Sequence, residues 1–275
     1  VGSLWGSGGA IRYRAWVTAV EKAGAQWRVR TADGEEYVAR SVVANVPAAT
    51  LAELGGEVLP RAFVRRASPQ EQPWGAVMLF AALDARDLPG PLPCYEQTLA
   101  RYDTGLEEAN SCFVSLLPPE QERFPHVARL TVSTHTRVEP WWAPRSDDEY
   151  AARKARFGER LLAAAEAAVP DVRRRILFSE VATPRSFRRW TGRPDGRVGG
   201  VPQTRAHANF AARSHRVGVP GLYICGDTVF PGQGTIGVTL SGINAGREAH
   251  VHAARASARA VAVSLPPTDA AAEVR

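Results

Sequence analysis

Apolar positions along the chain fall into three regimes. Between residues 11 and 46 they come in short, strand-length bursts. Ile11 to Val20 is apolar and β-branched in places, and Trp27 and Val29 alternate with Arg28 and Arg30 as in a half-buried strand. Asp33-Gly34 is a strong turn signal before a strand that starts near Glu36. The run Val42 to Val46, closed by Pro47, suits a strand buried on both faces, as in parallel sheets. The pattern predicts a small antiparallel meander that feeds back into a larger sheet.

From about residue 48 to 205 the character changes. Gly75 to Leu83, Ser111 to Leu117 and Val127 to Thr134 read as strands, and the stretch from Pro89 to Pro93 reads as loop. Ser146 and Glu149 have capping-box spacing. Tyr150, Phe157, Leu161 and Ala165 then share one helix face, with Pro170 as the stop. A helix against a mostly antiparallel sheet is expected. From Gly221 the pattern changes again. Leu222 to Cys225 is a compact apolar strand, the loop from Phe230 to Gly234 follows, and a long helix runs from Thr235 to about Ala258. The tail from Ser264 contains Pro266-Pro267 and reads as frayed.

Composition narrows the class. Hydrophobic residues make up 45% and charged residues 23%, which is globular rather than disordered composition. No run of about 18 apolar residues occurs, and the first residues have no basic-then-apolar leader pattern. Cys94, Cys112 and Cys225 are widely spaced, so neither a disulfide framework nor a zinc site is implied; a reducing, cytoplasmic setting is expected. The net charge of +6 is carried mostly by arginine, densest at Arg173 to Arg175 and at Arg185, Arg188, Arg189 and Arg193. No nucleic-acid module accompanies the charge, so no nucleic-acid partner is expected.

The chemistry concentrates in Gly221 to Arg247. A buried strand delivers Gly226-Asp227 to its C-terminal edge, where open α/β sheets hold ligands. The loop then turns into a helix whose first amides are free for an electron-rich group. Asp227, acceptor-only when ionised, suits hydroxyls such as those of a ribityl chain. Gly237, Gly242 and Gly246 each cost about 1 kcal/mol in a helix interior. With Ser241, Ala245 and Ala249, Gly237 forms a small-residue stripe that admits close approach of a sheet or a flat ring. No Lys-Ser or Lys-Thr follows the glycines, which excludes a Walker loop.

Gly226-Asp227, Pro231-Gly232-x-Gly234, Gly237 and Ser241-Gly242 together resemble the C-terminal FAD-binding motif of the phytoene desaturase and amine oxidase superfamily, nearest its carotenoid-desaturase and carotenoid-isomerase branch. The segment from Val17 to Pro47 is similar to that family's meander and return strand. Thr183 to Phe187, Gly192 to Gly196 and Gly199-Gly200 resemble the substrate-domain exit of carotenoid 3,4-desaturases. The resemblance implies an α/β plus α+β fold: a glutathione-reductase-like Rossmann FAD domain, incomplete here, with an inserted antiparallel-sheet substrate domain. Boundaries follow at 1–48 (meander and return strand), 49–205 (substrate domain), 206–260 (C-terminal strand and helix) and 261–275 (tail). It further implies FAD bound by the Val17 backbone at adenine, by Gly226 and Asp227 at the ribityl or phosphate region, and by Gly234, Thr235, Ile236 and Gly237 near the flavin.

The G-x-G-x-x-G unit of that family is not found: Gly6 to Gly9 and Gly192 to Gly200 both have the wrong spacing. The expectation is half a cofactor site, with Val42–Val46 and Leu222–Cys225 left without strand neighbours. The implied reaction is FAD-dependent dehydrogenation of a C–C bond in a carotenoid or other polyene. Carotenoid isomerase, ketolase and amine oxidase chemistry are rivals on the same scaffold. A non-catalytic truncated or split subunit, needing a separate N-terminal FAD-binding half, is a rival from another class. The sequence nominates no catalytic residue, since His207, His215, His250 and His252 read as surface or helix-end residues. A peripheral membrane contact is expected, with Trp141, Trp142 and the arginines of 185–193 at the interface, and Trp74 either there or packed in a core.

Overall fold

The computed structural model describes residues 2–67, 74–88, 95–119, 123–202 and 204–264. The expected loop at 89–93, Cys94 and all of the tail beyond Ser264 lie outside the described residues. The chain divides into two units, Val1–Ser68 with Val201–Arg275, and Pro69–Gly200. The expected boundaries at 48 and 205 therefore shift. Beyond Pro47, α2 (Ala48–Gly55) and α3 (Arg61–Arg66) still belong to the first unit, because Leu51, Leu59 and Phe63 are buried in its core with Leu222 and Ile224.

In the first unit, a short helix α1 (Gly2–Gly6) precedes the meander β1 (Val17–Ala23), β2 (Gln26–Thr31) and β3 (Glu36–Ala39). The strands pair antiparallel, with Val20 opposite Val29 and Trp27 opposite Ala39. Residues 11–16, expected as strand, are not; pairing starts at Val17 and is bulged before Ala19. Gly34, at φ 87°, makes the turn that Asp33-Gly34 predicts. Trp27 is fully buried, its Nε1–H donates to Pro220 O at 3.2 Å, and the Lys22 ammonium sits 4.2 Å from its ring centre. An indole this deep needs such a partner, since an unpaired donor would carry a desolvation cost.

The strand β4 (Val42–Ala44) pairs in parallel with β10 (Leu222–Ile224), Leu222 opposite Val42 and Ile224 opposite Ala44. The two runs expected to lack neighbours thus have each other, and Tyr223 is also bridged on β10's other side by Arg216. Burial on both faces holds for β10 but not for β4, where Val43 is 38% exposed. Among the described residues, β10 is β4's only strand partner.

The second unit has a five-stranded sheet in the order β6-β7-β8-β5-β9, formed by β5 (Trp74–Asp84), β6 (Tyr95–Leu99), β7 (Ser111–Leu117), β8 (Val127–Arg137) and β9 (Ile176–Ala182). All its pairings are antiparallel. Alternation is strict: Val77, Leu79, Ala81 and Leu83 of β5 are buried while the residues between them are not. Onto that face α5 (Asp147–Ala168) lays Phe157, Leu161, Ala165 and Ala168. Ser146 caps α5 by accepting the Glu149 amide at 3.2 Å, but Glu149 Oε2 accepts from the Arg145 amide at 2.8 Å, one residue outside the usual reciprocal partner. The fully buried Trp141, on the short α4 (Glu139–Trp142), donates Nε1–H to Thr136 at 3.0 Å and packs on Phe157. A short α6 (Val172–Arg175) leads into β9, and α7 (Pro184–Thr191) follows it. Among the described residues, no helix is long and apolar enough to cross a membrane.

Candidate functional site

The last helix, α8 (Thr235–Ser264), and the end of β10 frame a compact arrangement in the first unit. Parallel pairing continues one residue past β10, where the Cys225 amide donates to Ala44 O at 3.0 Å. There the chain must turn away from the sheet. Gly226 does so at φ 111°, and a Cβ on it would lie 2.9 Å from Asn45 Oδ1. The Gly226 amide donates to the buried Ser241 Oγ at 2.7 Å, tying the strand end to the second turn of α8. Ser241 Oγ also lies 3.3 Å from the carbonyls of Gly226 and Val238, either of which can take its hydroxyl proton.

Between strand and helix, Thr228 and Val229 are buried, and the Phe230 amide donates to Arg213 O at 2.8 Å. The loop then folds back on the helix: a Cβ on Gly237 would fall 2.6 Å from Gly232 O. Val238 N–H to Gly234 O, at 2.9 Å, is the first bond leading into the helix. The amides of Thr235, Ile236 and Gly237 therefore precede it, at the positive end of a 30-residue helix dipole. Thr235 and Ile236 are exposed, and Gly234, at φ 89°, has open space where a side chain would be.

Six of the seven expected cofactor residues, Gly226, Asp227, Gly234, Thr235, Ile236 and Gly237, thus gather on one loop and helix start. Asp227 is half-buried there and engaged within the fold. Val17 opens β1, and its side chain packs against the core that holds Leu222, Ile224 and Val229. The small-residue stripe has a protein partner for most of its length. Ala245 and Ala249 cluster with Tyr223 and Cys225, and Ser41 donates to Ala249 O at 3.2 Å. Gly237 itself makes room for the Gly232 carbonyl.

Asn45, Thr228 and Ser241 went unassigned in the sequence; only Ser241, every fourth residue along the stripe, carried a signal. Of these, Thr228 has an unmet hydrogen-bonding group. Its Oγ1 is buried and has no hydrogen-bond partner among the described residues. A buried hydroxyl without a partner, free helix amides and an open glycine together fit an electron-rich group with hydrogen-bonding oxygens, as a flavin nucleotide has.

The remaining candidates scatter. His250 is exposed on α8, while His252 is half-buried with Nε2 close to Gly221. His207 pairs with Thr204 at 3.1 Å. His215 is half-buried, and burial, followed by the nearby Arg216, lowers its pKa from 6.5 against the pull of Glu248. Cys112 and Cys225 are both buried free thiols; burial pushes Cys112 up to about 11, so neither is a poised nucleophile. Trp141, expected at a membrane interface, is instead a core residue. Trp74 is half-buried under the Arg137 guanidinium, and Trp142 is 37% exposed.

Comparison with known proteins shows the family and the fold. Prolycopene isomerase of Arabidopsis thaliana is 29% identical over 248 residues, covering 86% of this chain and 41% of its own length. The Daucus carota prolycopene isomerase is 26% identical over 251 residues, covering 86% and 39%. The chain thus spans about two-fifths of the length of these relatives. Among solved structures, cyclohexylamine oxidase from Brevibacterium oxydans aligns with a TM-score of 0.54 at 13% identity, over 88% of this chain and 48% of its own. An oxidoreductase from Methanosarcina mazei gives 0.54 at 15%, over 88% and 51%. These share the fold. Residues 3–250 match the model for flavin containing amine oxidoreductase, so the chain belongs to that family, whose cofactor is FAD.

Proposed function

We propose that this chain is part of an FAD-dependent oxidoreductase or isomerase acting on a carotenoid or similar polyene. The observation that carries the proposal is the joining of two facts. The site at β10 and α8 fits a flavin nucleotide, and the curated relatives are named for prolycopene isomerisation. Those names favour isomerisation over the desaturation expected from the sequence. When bound, the flavin supplies the redox chemistry. This chain's residues would bind and orient it: the amides of Thr235 to Gly237 would offer donors to an electron-rich group, and Thr228 and Asp227 would hold hydroxyls. No side chain here is assigned as acid or base.

The second unit supports an apolar substrate. An antiparallel sheet with one solvated face ordinarily turns polar residues outward. Here Phe80, Phe113, Phe178 and Tyr95 are exposed instead, and Tyr95 stacks on Phe113 at 6.1 Å. Such a field is what a flat polyene would lie on. A cytoplasmic location with peripheral contact to the membrane that stores such a substrate completes the reading.

The FAD site of this 275-residue chain is read as partial, because the G-x-G-x-x-G unit that cradles a dinucleotide pyrophosphate does not occur in it. A separate FAD-binding half would complete it. The test is flavin titration of the purified chain, alone and with the DNA-encoded sequence upstream of Val1 restored. Weak binding alone and stoichiometric binding when extended are expected, with altered carotenoid isomers on chromatography of a producing host. A yellow, stoichiometrically loaded 275-residue protein would sink the half-site reading. Amine turnover with unchanged carotenoids would sink the polyene reading.

A further inference from the structure

On the second unit, α7 presents a charge pattern that the cofactor site does not use. From Thr183 to Pro194 the chain carries Arg185, Arg188, Arg189 and Arg193 and no acidic residue. The helix is rigidly seated. Thr183, fully buried, caps it reciprocally with Ser186 and shares a 2.7 Å hydrogen bond with Tyr150. Pro184 is buried, and a Cβ on Gly196 would meet Pro184 O at 1.8 Å, so only glycine lets that loop pass beneath. Gly192, at φ 67°, ends the helix.

On this fixed base Arg188, Arg189 and Trp190 point into solvent, and Trp190 is 78% exposed. The guanidiniums stack on rings: Arg189 lies 5.3 Å from the Trp190 centre, Arg188 5.1 Å from Trp142, and Arg185 4.2 Å from Tyr150. Among the described residues, Arg185, Arg188 and Arg189 have no carboxylate at ion-pair distance; the next acid, Asp195, is paired with Arg197 at 2.9 Å. Arg188 and Arg189 also complement the helix C-terminus, but that role does not call for an exposed tryptophan beside them.

We infer that α7, with Trp142, is the surface by which this chain docks on an anionic lipid bilayer. Arg185 Nε–H donates to Trp141 O at 2.9 Å, whereas the exposed, stacked Arg188 and Arg189 keep their forked donors available for phosphate oxygens. An indole prefers the headgroup boundary, where its apolar body and polar N–H are both satisfied. The absence of acid across twelve consecutive positions removes the repulsion an acidic surface would otherwise meet. The inference names the contact surface for the peripheral attachment proposed above, and its readout is independent of flavin and polyene.

The experiment is co-sedimentation of the full chain with vesicles of phosphatidylcholine alone, and of phosphatidylcholine with one-third phosphatidylglycerol. Binding to the anionic vesicles only, falling with added salt, is expected. The variant Arg188→Gln/Arg189→Gln should lose roughly tenfold in partitioning. Trp190→Phe should lose most of the fluorescence quenching by brominated lipid. Both variants alter exposed side chains, and their circular dichroism melts should match the parent. Equal binding to neutral vesicles, or undiminished binding by the arginine variant, would overturn the inference. So would displacement by inorganic phosphate alone, which reports a phosphate subsite, or tighter binding to a short single-stranded RNA.

Discussion

In the second unit the longest strands, β5 and β8, pair along their whole length, and a 22-residue helix covers the inner face of the sheet. In the first, the sheet that positions the candidate loop consists, among the described residues, of two three-residue strands, and its core is completed by α2, α3 and the β1–β3 meander. The difference follows from connectivity. β6–β7 and β7–β8 are sequential antiparallel neighbours, and although β5 meets β8 and β9 over longer connections, all five strands come from one contiguous stretch, Pro69–Gly200. Parallel neighbours need distant segments, and β4 and β10 meet across some 180 residues of sequence. A site built at a parallel junction therefore depends on chain far away.

That contrast is open to direct attack. The largest effect should come from Leu161→Ala, which empties a fully buried position where α5 meets the sheet. A loss of about 2–5 kcal/mol in denaturant unfolding is expected. Hydrogen exchange should rise in β5, β7 and β8; an equal rise in β1 and β2 would show that the units do not stand apart. Next is Gly237→Ala, whose Cβ would crowd the Gly232 carbonyl. It should cost about 1–3 kcal/mol, confined to the first unit, and weaken FAD binding in the completed protein. Unchanged flavin affinity would detach this loop from the cofactor.

The smallest effect concerns pH. Because His215 titrates below 6.5 in the folded chain, the unfolded chain binds the extra proton first as pH falls. Its contribution to stability is complete above about 6.5 and is lost as pH drops toward the lowered folded value. The thermal midpoint should decline over mildly acid pH, and His215→Gln should flatten that part of the slope.

Legibility in the sequence followed the same contrast. The strands β2, β5, β7 and β8 were legible because each alternates between a buried and a less buried side, β1 from its apolar, β-branched residues, and β3 from the Asp33-Gly34 turn before it. The edge strands β6 and β9 were missed: β9 reads exposed at four consecutive positions, Leu177 to Glu180, so no alternation marks it. The helices α2 and α3 were missed because they are short and their burial comes from distant β10. The loop of the candidate site was marked in the sequence because its glycines are local necessities, Gly226 at the strand exit and Gly237 beneath a carbonyl. Asn45 and Thr228 were not, since what singles them out is a spatial neighbour or the lack of one.

The loop carbonyl of Gly232 resting on the bare Cα of Gly237 has a further consequence. The contact is backbone against backbone, with no rotamer to freeze, and Ser241 anchors the other end of the same turn. A ligand arriving at the helix amides would find them already aimed, and little of its binding energy would go into ordering the receptor. The loop is in this sense a mould set before casting. Whatever completes the site need supply only contacts, and not shape.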